Sequence, residues 1–235
     1  MTTQQLLLGQ GGSTLSFTFV TSNSNTSTDQ TNRLILSHPS TVQAGDLCVL
    51  FHNGWDNDND FVDTVPPGFT TISTDSFLYT TSTYMSHGVS YNVISTQTQT
   101  HVVPWGNGNT ASYDYQTIRT LYFRPDKTIS TINFDSSLNL TETAVNPSQQ
   151  KVPAGGNTAP IIAFGQAKVL TVAGDPFFTA ASSNAFDAYF NTGSGLLNIE
   201  ANVGYKIYNT SPIDHYVDMD DLGTNVLLSF YLRAT

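Results

Sequence analysis

Apolar and polar residues alternate along much of this chain with a period of two, the repeat of a half-buried β-strand. Val89, Tyr91 and Val93 alternate with Ser90 and Asn92, and Val203, Tyr205 and Ile207 alternate with Gly204 and Lys206. Elsewhere the apolar residues are continuous, at 47–51 and again at 161–164. Such runs suit central strands covered on both faces. Strand-like stretches fall at 15–20, 33–36, 47–52, 69–72, 85–94, 117–123, 129–134, 160–167, 196–208 and 226–232.

The punctuation between them is chemically explicit. Ala44-Gly45-Asp46, Pro66-Pro67-Gly68, Asn107-Gly108, Pro153-Ala154-Gly155-Gly156 and Gly174-Asp175-Pro176 supply the fixed φ of Pro and the positive φ of Gly or Asn that turns demand. Residues 21–32, a tract of Ser, Thr and Asn, read as an exposed loop, and 180–189 as the best helix candidate, a short one. The Pro-, Gln-, Gly- and Asn-rich stretch 145–159 reads either as a linker or, more simply, as part of one sandwich fed from both halves. Regular short strands with such turns predict an all-β fold, an antiparallel β-sandwich of jelly-roll-like or immunoglobulin-like type. Residues 1–40 would form a leader with the first strands and a candidate attachment segment, and 41–235 the sandwich domain.

Composition narrows the function. Only 11% of the 235 residues are charged, whereas Ser, Thr, Asn and Gln make up roughly a third, so the polar surface is mostly neutral. The net charge is −10 with eight Lys and Arg, which leaves no basic stripe to neutralise phosphates and argues against nucleic acid as a partner. The first apolar run, 6–8, has no Lys or Arg before it and is too short for a signal-peptide core or a membrane span, so synthesis in a cytosol without membrane insertion is expected. Cys48 is the single cysteine; an internal disulfide is impossible and a small buried side chain is the expectation.

Candidate chemistry is thin. Trp55-Asp56-Asn57-Asp58-Asn59-Asp60 imitates the start of a calcium loop, with Asp56, Asp58 and Asp60 as the oxygen ligands, but Phe61 stands where the sharp turn needs Gly and Pro67 where the bidentate Glu belongs. A second acidic cluster, 214–221 with His215, reads as a loop before the final strand. No Gly-x-Ser-x-Gly elbow occurs, and the two Glu, Glu142 and Glu200, lie in no recognisable motif, so a non-enzymatic role is expected. Trp55, Trp105, Tyr113 and Tyr115 lie in polar loops or at strand edges, where aromatic rings stack on sugars or anchor interfaces.

Three phrases occur in order: Val42-Gln43-Ala44-Gly45-Asp46-Leu47-Cys48-Val49-Leu50, Pro66-Pro67-Gly68-Phe69-Thr70-Thr71-Ile72 and Ser90-Tyr91-Asn92-Val93-Ile94. Leu121-Tyr122-Phe123-Arg124-Pro125, Pro160-Ile161-Ile162-Ala163 and Asp221-Leu222-Gly223-Thr224-Asn225 follow. The series, spanning about 42–232, resembles β-sandwich structural proteins of tailed bacteriophages, although Phe69 replaces the usual Trp and Asn92 a frequent Lys. The resemblance implies a virion component, either a tail fibre or appendage subunit or a head decoration protein. It further implies a homo-oligomer, often a trimer, docked on other virion proteins, and it carries over no catalytic residue. The alternative is a carbohydrate-binding adhesin that recognises a host surface glycan, with calcium as its candidate cofactor.

Calcium separates the two readings. The melting temperature is expected to stay unchanged when calcium is added; a rise that disappears in the triple variant Asp56→Asn, Asp58→Asn, Asp60→Asn would favour the adhesin.

Overall fold

A computed structural model describes residues 15–27, 33–56, 65–78, 84–97, 100–104, 115–134, 139–143, 150–152, 161–170, 178–179, 187–191, 199–209, 215–219 and 224–235. Every regular element among them is a β-strand, and none is a helix long and apolar enough to cross a membrane.

The N-terminal half builds one sheet. Strands β1 (Phe17–Ser27), β3 (Leu47–Asp56), β4 (Thr70–Leu78), β5 (Tyr84–Val93) and β7 (Tyr115–Pro125) pair antiparallel in the order β1-β7-β3-β5-β4. The remaining strands of this half, β2 (Arg33–Ser37) and β6 (Thr100–Pro104), pair with each other as a ribbon.

The C-terminal half builds the second sheet around β11 (Ile161–Leu170), which lies between β14 (Ile199–Tyr208) and β16 (Thr224–Ala234). Strand β13 (Ala188–Asn191) pairs with β14, while β8 (Ile132–Phe134) and β9 (Asn139–Thr143) pair with successive stretches of β16. A small third sheet joins β10 (Gln150–Val152), β15 (His215–Met219) and β12 (Phe178–Thr179). The class is the predicted antiparallel sandwich. Its sheets divide by chain half, whereas in immunoglobulin domains strands from both halves enter each sheet.

Two apolar clusters hold the layers. Between the sheets, Leu47, Val49 and Phe51 of β3 and Leu121 and Phe123 of β7 meet Ile162 and Phe164 of β11 and Phe230 and Leu232 of β16. Phe164 stacks on Phe230 with ring centroids 4.9 Å apart, and Phe123 meets Phe164 edge-on at 5.7 Å. On the opposite face of the first sheet, Cys48, Leu50, Ile118 and Tyr122 pack under Leu34 and Leu36 of the ribbon. Burial on both faces is the physical reason that 47–51 has no polar member, and the equally buried run 161–164 marks the centre of the second sheet.

Both chain halves therefore feed the core between the sheets, and the strands within 1–40 are built into the packed layers: Phe17 of β1, 2% exposed, belongs to that core, and Leu36 of β2, equally buried, to the outer cluster. Of the five predicted turns, those at Ala44-Gly45-Asp46 and Pro66-Pro67-Gly68 are present, and those at 107–108, 153–156 and 174–176 lie outside the described residues. Gly45 and Gly68 take φ of 93° and 86° at the third position of turns closed by Asp46 N to Gln43 O and Phe69 N to Pro66 O. A type II turn requires that conformation, and only Gly adopts it without strain.

Three expectations need correction. Residues 21–27, expected in a loop, continue β1 because polar side chains satisfy its free edge. Asn23 and Asn25 accept from the N–H of Ser24 and Thr26 and donate to the carbonyls of Ser37 and Ile35 of β2, at 2.8 to 3.0 Å. The end of the helix candidate, 188–189, is strand, since Ala188 and Tyr189 pair with Tyr205 and Gly204. The cluster at 214–221, expected as a loop, contains β15, whose Tyr216 and Val217 suit a strand and pair with β10 inside the proline-rich stretch 145–159.

Phe164→Ala is expected to cost about 3–5 kcal/mol in urea unfolding, because its ring is fully buried among other rings. Ile35→Ser, at a side chain 57% exposed on β2, is expected to stay within about 0.5 kcal/mol.

Candidate functional site

The most elaborate polar arrangement among the described residues lies where β3 begins and β7 ends. Asp46 enters β3 directly after the Gly45 turn and is buried at 1% exposure. Its carboxylate accepts from Arg124 Nε at 2.9 Å and Arg124 Nη2 at 2.8 Å, a fork-on-fork pair. The Gln43 N–H donates to the same carboxylate at 2.8 Å, and Arg124 Nη2 also donates to the Thr41 carbonyl at 2.9 Å. On the backbone, Asp46 and Gly45 exchange bonds with Ile94 at the end of β5, each 2.8 Å. The hydrogen bonds to Asp46 raise the Arg124 pKa above its ordinary value.

Beside this clamp, Asp126 ties the start of β1 to the end of β7. The Ser16 N–H donates to Asp126 Oδ1 at 2.8 Å and the Asp126 N–H to the Ser16 carbonyl at 3.0 Å; the bond from Ser16 holds the Asp126 carboxyl below its ordinary pKa. Between clamp and tie opens a cleft of about 380 Å³ floored by Val93 and walled by the Gln43-Ala44-Gly45 turn and the 124–129 segment. Its carboxylates Asp46 and Asp126 and the Arg124 guanidinium are taken up in these bonds, so the arrangement holds strand ends in place.

A second cation sits between the sheets. Arg119 of β7 donates to Ser22 Oγ at 3.5 Å and lies 5.2 Å from the Phe190 ring centroid, and burial lowers its pKa to about 10. It covers the aromatic group Phe19, Phe190 and Tyr205, in which Phe19 stacks on Tyr205 at 4.9 Å.

Of the residues singled out as ligand contacts, Trp55 and Tyr115 are brought together as direct register partners of β3 and β7. Asp56 ends β3 opposite Tyr84. The side chains of these three lie outside the described residues, as do Trp105, Tyr113, Asp58 and Asp60 altogether. Trp55 stands eight positions along β3 from Leu47, roughly 27 Å of strand, so the aromatic end and the Asp46–Arg124 end are opposite ends of the sheet. Among the described residues no group of three or more His, Cys, Asp or Glu comes together.

Sequence reasoning singled out neither the Asp46–Arg124 pair nor its role. The signal was present, since Asp46 and Arg124 stand in two of the quoted phrases, but 78 positions separate them and nothing local announces the pairing. Comparisons of the chain with family models, with curated proteins and with solved structures find no match.

Breaking the clamp from the exposed side leaves Asp46 buried without its cation. Arg124→Ala is expected to destabilise by about 3 kcal/mol in urea unfolding, and Arg124→Lys by less, since it keeps the charge and loses the fork.

Proposed function

We propose that the chain is a non-enzymatic structural component of a tailed-phage virion, a tail fibre or appendage subunit or a capsid decoration protein, acting by surface-to-surface assembly. The observation that carries this reading is where the phage-like phrases lie in space. The Val42-to-Leu50 phrase forms the Gly45 turn and the start of β3, and Ser90-Tyr91-Asn92-Val93-Ile94 ends at the backbone partner of that turn. The phrase ending in Arg124-Pro125 supplies the guanidinium that clamps it. Pro66-Pro67-Gly68-Phe69 closes the second Gly turn and places Phe69 in the same apolar cluster as Cys48 and Leu50.

These four phrases meet around two Gly turns and one clamp of the first sheet, which suits a family held together by architecture. A surface of neutral polar residues with few Lys and an overall charge of −10 keeps such a subunit soluble and leaves specific docking to shape. The partners in this reading are other virion proteins and further copies of the chain, as a trimer.

The chain is expected in gradient-purified particles at a fixed copy number by mass spectrometry, and as a trimer in light scattering of the purified protein. Its presence in the infected-cell lysate with none in particles would overturn the proposal. Removal of residues 1–14 is expected to abolish incorporation while leaving the circular-dichroism spectrum unchanged. Particle binding to host polysaccharide that purified chain competes away would move the reading to the adhesin.

A further inference from the structure

Residues 1–14 join the fold at a fixed point. Leu15 is buried in the core between the sheets, a cluster against which Ile129 packs, and Ser16 is bonded to Asp126 through both its N–H and its carbonyl. The leader is thus attached beside the end of β7. The cleft of about 380 Å³ opens on the other flank of that strand end. Its lining comes from the turn before β3, from Val93 of β5 and from 124–129, and no described residue of β1 reaches it. In the sheet order β1-β7-β3-β5, β7 therefore stands between the attachment point and the cleft.

The chemistry of the cleft suits a neutral occupant. Its lining carries two cations, Arg124 and Lys127, and two carboxylates, Asp46 and Asp126, so its charges balance. A charged segment entering it would lose hydration without meeting an unmatched opposite charge. What remains for contact is the apolar surface of Ala44, Val93, Pro125 and Ile129, with neutral Gln43 and Thr128 beside it. Residues 1–14 match this set: they contain no Asp, Glu, Lys or Arg, and their one apolar run, Leu6-Leu7-Leu8, lies between Gln4-Gln5 and Gly9.

Sheet order favours the leader of another copy over the chain's own. To enter its own cleft the leader would have to cross the 124–129 segment, whose Asp126 is already bonded to Ser16 on the near side. Leu8 stands seven positions before Leu15, roughly 24 Å of extended chain, which carries the leucines off the rim toward a copy alongside. A contact from the leader of one copy to the cleft of the next is head-to-tail, and such contacts close into a ring of three when each copy is turned by a third of a revolution.

We infer that the cleft between the Gly45 turn and 124–129 receives the Leu6-Leu7-Leu8 run of a neighbouring copy, and that this exchange of leaders joins the copies of the trimer. The seat rests on the homo-oligomer of the virion reading and names the contact that holds it together.

The test links two full-length chains. A size-tagged copy with Gln5→Cys is coexpressed with an untagged copy with Thr128→Cys, an exposed position on the cleft, and the purified protein is treated with a short bismaleimide. Cys48 is fully buried and stays out of the reaction. A product of mixed size is expected, about tenfold or more above that formed when Thr70→Cys, exposed at the start of β4, takes the place of Thr128→Cys. Replacing Leu6, Leu7 and Leu8 by Asn in both copies alters the leader alone and is expected to abolish both the mixed product and the trimer in light scattering. Equal product from Thr128→Cys and Thr70→Cys, or product that survives the Asn replacements, would overturn the seat. So would a chain carrying both Gln5→Cys and Thr128→Cys that links within itself at unchanged size, since its leader then lies in its own cleft. Incorporation into particles is read independently, so a chain that enters particles without forming the mixed product overturns the seat and leaves the virion reading standing.

Discussion

The structure depends on burying the first sheet from both sides. Strand β3 must present Leu47, Val49 and Phe51 to one apolar cluster and Cys48 and Leu50 to another, so five successive side chains leave water at once. This double burial gives β3 and its neighbour β7 the central place in the molecule. It also explains why the ribbon is needed: without Leu34 and Leu36 above them, Cys48, Leu50, Ile118 and Tyr122 would form an exposed apolar patch on the outer face.

Layers made this way leave strand ends and edges with unmet backbone groups, and the chain meets them with short polar side chains. Asn23 and Asn25 join the free edge of β1 to β2, and Asn209 does the same between the sheets, accepting from the Phe17 N–H at 2.8 Å and donating to the Phe17 carbonyl at 3.1 Å. Asp126 closes the Ser16 end, and Asp187 accepts from the Ile207 N–H while pairing with Lys206. Asn and Asp act here as detached peptide groups, which finish a sheet edge without a further strand. Some of the neutral polar excess that marks the composition is therefore structural.

The Asp46–Arg124 clamp and the His38–Tyr122 contact sit on either side of the same short segment, 38–46, which leads from the ribbon into the central strand. The clamp fixes where β3 starts, and the His38 contact joins the end of the ribbon to β7.

Local pattern alone determined the all-β class, the two Gly turns, the two fully buried runs and the burial of Cys48, because strand alternation and turn sterics are settled by residues adjacent in the chain. It misread 21–27, 188–189 and 215–219, where polar or acidic composition argued for loop or helix while partners far along the chain supplied the hydrogen bonds of a strand. Of the candidate site, it marked Trp55 and Tyr115 without knowing that β3 and β7 set them opposite each other. Only the tertiary structure decided the division of the sheets by chain half, the Asp46–Arg124 clamp and the His38–Tyr122 contact. Each rests on residues many positions apart, 78 for Asp46 and Arg124 and 84 for His38 and Tyr122, and the free energy of such a pair arises from burial and geometry that exist only once the layers have come together.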